Sequence, residues 1–201
     1  MENLVKKLAH RIAQALDYDS EKEAVVAYGL FAMILTSITF LLIGIIGIIV
    51  GTLVESLIVF LSVSILRKYS GGAHASTSER CTLIGVVFCT AAALLSRYVL
   101  FPIYDIWLML TAVILIYLFS YWIIYKRAPV DSPNKPISDK KKIRMKKGSL
   151  IVLSVYLLLS IAGMLLGHAY PHFKAYGISL LFGVCWQILT LVVPIFKLHN
   201  K

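Results

Sequence analysis

Within residues 67–81, RKYSGGAHASTSERC, His74 and Cys81 stand seven positions apart between two long apolar runs. A thiol and an imidazole are the pair needed for nucleophilic attack on a carbonyl: sulfur attacks and the ring takes its proton. Seven residues of unbroken helix would put both on one face but ~10 Å apart along the axis, at ~1.5 Å per residue. That is too far for the direct hydrogen bond such a pair requires. The chain must therefore break between them. Gly71 and Gly72 supply backbone freedom to end one helix. Ser76 and Glu79 form an S-x-x-E capping-box pattern that opens the next. With Ser76 as N-cap, Cys81 falls in the second turn; with Ser78, it is the third helical residue. Either way the thiol lies near the positive end of a helix dipole and beside Arg80, and both features favour the nucleophilic thiolate.

Other groups could support that chemistry. Arg67 opens the same window, and the backbone amides from Ser78 to Cys81 are candidate oxyanion donors. Glu55 is the only formal charge among the 43 residues from Ala24 to Leu66. An acid inside an apolar stretch is a functional candidate, although Glu55 could equally sit at an outer turn in water. Cys89 and Cys185 read as small buried apolar residues. Gln187, in the last apolar run, reads as a helix–helix hydrogen-bonding residue. His168 and His172 read as interfacial, His10 and His199 as solvated. Three cysteines without a CxxC, and no HExxH, indicate neither a disulfide framework nor a metal site.

The elements that must position these residues are apolar helices. The chain is 59% hydrophobic over 201 residues, and its mean hydropathy is +0.84. A soluble domain of that composition could not cover its surface with polar groups, so the expected class is an all-α, polytopic helical membrane protein. About six hydrophobic segments follow, four to six of them true crossings. Residues 24–66 are too long for one span and divide near Gly44, Gly47 or Gly51. The second piece, with about 14 residues between Gly51 and Leu66, is the weakest span. Further segments cover 81–101, 106–125, 149–168 and 175–196. Residues 3–16 place Leu4, Val5, Leu8, Ile12 and Leu16 at helical spacing. That stripe suits an amphipathic N-terminal helix within residues 1–20, lying on the membrane or packed on the rest of the protein.

The net charge is +10, and it is unevenly placed. From Lys126 to Ser149 there are nine Lys or Arg against two Asp. A basic run beside apolar spans marks the cytoplasmic side and anionic lipid rather than nucleic acid. The N-terminus, residues 67–80, the basic loop 126–148 and the C-terminus are all cationic, which six crossings with both termini cytoplasmic would satisfy. The expected organisation is one membrane domain over 1–201.

The window RKYSGGAHASTSERC resembles the signature of the accessory gene regulator B (AgrB-like) family. The amphipathic start, the apolar spans and the proline- and lysine-bearing stretch APVDSPNKPISDKKK follow in the family's order. The resemblance covers most of the chain; the R-x6-H-x6-C core is its specific part. It implies a membrane cysteine endopeptidase of the bacterial plasma membrane, with its active site near the cytoplasmic face. Such an enzyme cleaves the C-terminal part of a short precursor peptide and helps cyclise it to a thiolactone or lactone quorum-sensing signal. His74 then matches the catalytic histidine, Cys81 the nucleophile and Arg67 the signature arginine. A homodimer is a family expectation, and no cofactor is expected. Lys140, Lys141 and Lys142 would draw in acidic parts of the substrate. A peptide exporter or small transporter is the rival reading, though it gives no reason for a capped cysteine behind a histidine. A lipid-modifying metalloenzyme would need clustered acids that this chain lacks.

Overall fold

The computed structural model describes residues 2–72, 77–130 and 138–198. Every regular element among them is helical. In chain order these are α1 (Glu2–Ala15), α2 (Ser20–Ile49), α3 (Leu53–Ser70), α4 (Ser78–Leu94) with a π-helical continuation Leu95–Leu100, α5 (Ile106–Arg127), α6 (Asp139–Ala169) and α7 (His172–Leu198). Five of them are long and apolar enough to cross a membrane: α2, α4 with its continuation, α5, α6 and α7. The sixth apolar segment does form a helix, α3, but Glu55, Arg67 and Lys68 set it apart from those five.

The chain divides into two compact units, Met1–Leu42 and Ile43–Lys201. In the first, α1 buries Val5, Ala9 and Ala13, while Leu8 and Leu16 are exposed. The buried stripe is thus made of smaller residues than the leucine pattern suggests. His10 is not simply solvated: its Nδ1 lies 3.1 Å from Glu23 Oε1. The start of α2 is capped by Asp19, whose Oδ1 accepts from Lys22 N–H at 2.8 Å.

In the second unit, the turn into α3 falls at Gly51, whose φ of +71° favours glycine. Helices α3, α4, α5, α6 and α7 then run up and down, and α3 packs against α4, α6 and α7. Small and hydroxylated residues make that close approach possible, as in membrane helix packing generally. Ser62 of α3 lies where any side chain at Gly183 of α7 would have to go. The Tyr156 hydroxyl of α6 donates to the Ser62 carbonyl at 3.1 Å. Leu66, Tyr117, Ile124, Leu153, Val184 and Leu191 fill the centre. Helix α7 is the innermost, with 61% of its span buried against 28% or less for the other four spans. Outward faces carry Trp107, Leu115, Leu118, Trp122, Leu158 and Leu165, an apolar exterior that suits lipid.

The up-and-down order collects chemistry at the two ends of this unit. One end holds the C-terminus of α3, the N-terminus of α4, the C-terminus of α5 and the N-terminus of α6. The other holds the N-terminus of α3, the π-helical stretch and the short connection between α6 and α7.

Candidate active site at one end of the helix unit

Helix α3 stops where the glycine pair directs it to. Gly71 has φ +68° and its N–H donates to the Arg67 carbonyl at 2.9 Å; Gly72 has φ +144°. Ordinary side chains avoid both conformations. Space forbids them as well. A Cβ on Gly71 would meet the Val130 carbonyl oxygen at 2.7 Å, and one on Gly72 would meet Thr190 Oγ1 at 2.6 Å. The Val130 N–H donates to the Ser70 carbonyl at 3.0 Å, tying the end of α3 to the chain just beyond α5. Tyr69 lies against Gly148 of α6, where a Cβ would sit 2.5 Å from the ring.

Helix α4 begins at a different residue from the two serines considered as caps. Thr77 is the N-cap, with extended φ and ψ, and its Oγ1 accepts from Arg80 N–H at 3.3 Å. The Cys81 N–H donates to the Thr77 carbonyl at 3.1 Å, closing the first helical turn. Cys81 is therefore the fourth helical residue, still within the reach of the helix dipole. Those two bonds also narrow the oxyanion candidates to the amides of Ser78 and Glu79, since those of Arg80 and Cys81 are committed. Ser76 and His74 lie outside the described residues.

The structure brings Arg67 and Cys81 together. The guanidinium, in the last turn of α3, lies beside the Cys81 thiol at the start of α4, close enough to interact with it electrostatically. A cation and a helix N-terminus thus converge on one half-buried sulfur. Cys89, two turns deeper in α4, is 3% exposed, and Cys185 is half-buried in α7. Cys81 is the one of the three cysteines set beside a guanidinium at a helix start.

Glu55 is elsewhere. It lies twelve residues before Arg67 on α3, ~18 Å away along the axis. It is buried, not in water at an outer turn, and its Oε1 accepts from Arg97 Nη1 at 3.1 Å. Arg97 sits in the π-helical stretch, where the Phe101 N–H reaches the Ser96 carbonyl at 3.0 Å, and the Tyr98 hydroxyl beside it donates to the Val50 carbonyl at 3.2 Å. This cluster braces the end opposite Cys81.

The basic stretch is more helical than a loop. Helix α5 runs to Arg127 and α6 begins at Asp139, so Lys140, Lys141 and Lys142 occupy the first turn of α6. Lys140 and Lys141 are exposed and Lys142 is half-buried. Lys146 lies over the Tyr125 ring at 4.1 Å and Lys126 over Trp122 at 4.8 Å, so this end of the unit is cationic with aromatic support. His168 and His172 are exposed at the other end.

Sequence reasoning did not anticipate Thr77, Val130 or Thr190 at the site, and it assigned Gln187 a helix–helix hydrogen-bonding role without placing it at this site. Gln187 is fully buried, and its Nε2 donates to Ser70 Oγ at 2.9 Å and to the Gly71 carbonyl at 2.6 Å. Its one legible signal was being the only carboxamide in the last apolar segment.

Five helices long and apolar enough to cross a membrane define the class: a multi-pass helical membrane protein. The family comparison places it within that class. The accessory gene regulator B model matches residues 5–191, and the chain belongs to that family, part of the accessory gene regulator quorum-sensing systems. An AgrB-like protein of Clostridium perfringens strain 13 is 39% identical over 194 residues, covering 95% of this chain and 91% of the relative. The accessory gene regulator protein B of Staphylococcus intermedius is 27% identical over 207 residues, covering 100% and 98%. An AgrB-like protein of Listeria innocua is 30% identical over 153 residues, covering 73% and 71%. No solved structure matches the chain significantly.

Proposed function

We propose that this chain is a membrane cysteine endopeptidase that cuts a short precursor peptide on its C-terminal side and helps close it into a thiolactone or lactone signal. The observation that carries the reading is the Arg67 guanidinium on the Cys81 thiol at the start of α4. Cys81 is the nucleophile and His74 the general base. His74 takes the thiol proton, and sulfur adds to the scissile carbonyl. As the C–N bond breaks, the imidazolium returns the proton to the departing amine. The C-terminal tail leaves and a thioester joins the peptide to Cys81. A thiol or hydroxyl within the bound peptide then attacks that thioester. The ring closes, and the Cys81 thiolate leaves and is reprotonated. Exchanging one thioester for another is nearly neutral in energy, provided water is kept from the acyl-enzyme. The Arg67 cation stays beside the sulfur through attack and release.

The basic first turn of α6, with Lys140, Lys141 and Lys142, attracts acidic segments of the precursor and anionic headgroups. The active end then faces the cytoplasm at the plasma membrane, with both termini on that side, a reading supported by the cationic residues gathered there. The partners are the precursor peptide, the bilayer and a second copy of the chain.

The test is co-expression with the candidate precursor peptide, followed by mass spectrometry. Wild type should release the C-terminal fragment and the cyclic product; Cys81→Ala and His74→Ala should yield neither. Normal cleavage by either variant overturns the dyad. Labelled peptide crossing the membrane uncut would instead establish an exporter.

A further inference from the structure

A buried carboxamide inside an apolar helix is costly unless its groups are used. Gln187 uses its donor group entirely on one place, the turn that ends α3. The Gly71 carbonyl can only accept, so its 2.6 Å contact fixes the carboxamide with nitrogen toward the turn. Ser70 Oγ accepts the second Nε2 bond and donates its own hydrogen to the Leu66 carbonyl at 2.9 Å. One helical turn further along α7, the Thr190 hydroxyl donates to the Gln187 carbonyl at 2.7 Å and stands where a side chain on Gly72 would be. Val130 closes the remaining side through its bond to the Ser70 carbonyl. The exit of the chain from α3 is therefore held by α7 on one side and by the end of α5 on another.

We infer that Gln187 is a positioning residue for the proposed peptidase: by clamping Ser70 and Gly71 it fixes the end of α3, whose last turn carries Arg67 beside Cys81. This rests on the cysteine-peptidase reading above. The bond from Gln187 to a carbonyl needs a donor, and that makes the role testable through pH. A glutamate at this position can donate only when protonated; ionised, it would face the Gly71 carbonyl oxygen with a second negative oxygen.

The experiment uses the full chain in proteoliposomes with the precursor peptide, measuring kcat and KM across pH. Gln187→Leu, of similar size, should lower kcat by about 10- to 100-fold with little change in KM, the effect of a misplaced catalytic group. Gln187→Glu should recover cleavage as pH falls and lose it as pH rises, a limb absent from wild type. Wild-type kcat in Gln187→Leu, or a Gln187→Glu profile parallel to wild type, overturns the inference. Amide hydrogen exchange at Val130 reads the clamp without catalysis. It should quicken in Gln187→Leu, and unchanged exchange also overturns the inference. If wild type itself cuts no peptide, the peptidase reading fails and the exchange measurement alone decides whether the clamp exists. Shielding of Cys89 from alkylation reports that each variant is folded. Should Gln187→Leu not fold, the pH profile of Gln187→Glu carries the decision.

Discussion

A thiol becomes a nucleophile through its neighbours, and the three cysteines of this chain differ in theirs. Cys81 has a guanidinium on its sulfur and a helix start beneath it. Cys89 is 3% exposed among apolar side chains. Iodoacetamide near neutral pH should therefore modify Cys81 first and Cys89 last, with peptide mapping to separate the sites. Arg67→Met should slow alkylation of Cys81 by about tenfold, the scale of losing one charge-assisted contact, and leave Cys185 unchanged. Equal rates at all three cysteines, or no response to Arg67→Met, would remove the case for an activated sulfur. The seven-residue spacing was readable as a demand for a broken helix, and the break is there. The arginine contact was not readable, because two helices had to be docked before it existed.

At the scale of the element, the junction between α3 and α4 depends on backbone conformations that few residues adopt. Gly71→Ala meets a backbone carbonyl at 2.7 Å, and no side-chain change can relieve that. Gly72→Ala meets the tip of Thr190, so Gly72→Ala with Thr190→Ala should regain part of the loss. Each single variant should cost ~1–3 kcal/mol, seen as a lower unfolding temperature in detergent. A partial rescue at Gly72 and none at Gly71 is the expected pattern. Thr77→Ala removes the cap of α4 and should cost ~1 kcal/mol, while Thr77→Ser keeps it. The S-x-x-E pattern located the helix start within a residue, but three hydroxyl residues in a row (Ser76, Thr77, Ser78) compete for one cap. Only backbone direction selects among them.

Across the whole second unit, Glu55 shows how far a local reading reaches. The sequence offers this acid either as a site candidate or as a solvated group at an outer turn, and the structure buries it against a partner. Its partner, Arg97, is 42 residues away and lies at the end opposite Cys81. Glu55 Oε2 is buried without a hydrogen bond among the described residues, so the pair is incompletely satisfied. Removing Arg97 should strand a buried carboxylate. The cost should fall below the ~3–5 kcal/mol of a fully buried pair, because the Arg97 side chain is 38% exposed. Glu55→Gln with Arg97→Gln should be milder than Arg97→Gln alone, as a double-mutant cycle would show. The per-molecule cleavage rate of folded Glu55→Gln should match wild type. A specific loss of cleavage at unchanged stability would return Glu55 to the active site.

Composition, the positions of the apolar runs and the density of the 67–81 window determined by themselves that this is a helical membrane protein with a thiol-bearing junction between two helices. Those features are local: a span needs a run of apolar residues, a helix end needs glycine, a helix start needs a cap. Tertiary structure decided which polar residues meet. It paired Arg67 with Cys81, sent Glu55 to Arg97, and brought Gln187 across more than a hundred residues to the Gly71 carbonyl. The reason is physical. A buried polar group must find a partner, but sequence spacing orders neighbours only along one helix, whereas these partners lie on different helices and meet only when those helices pack.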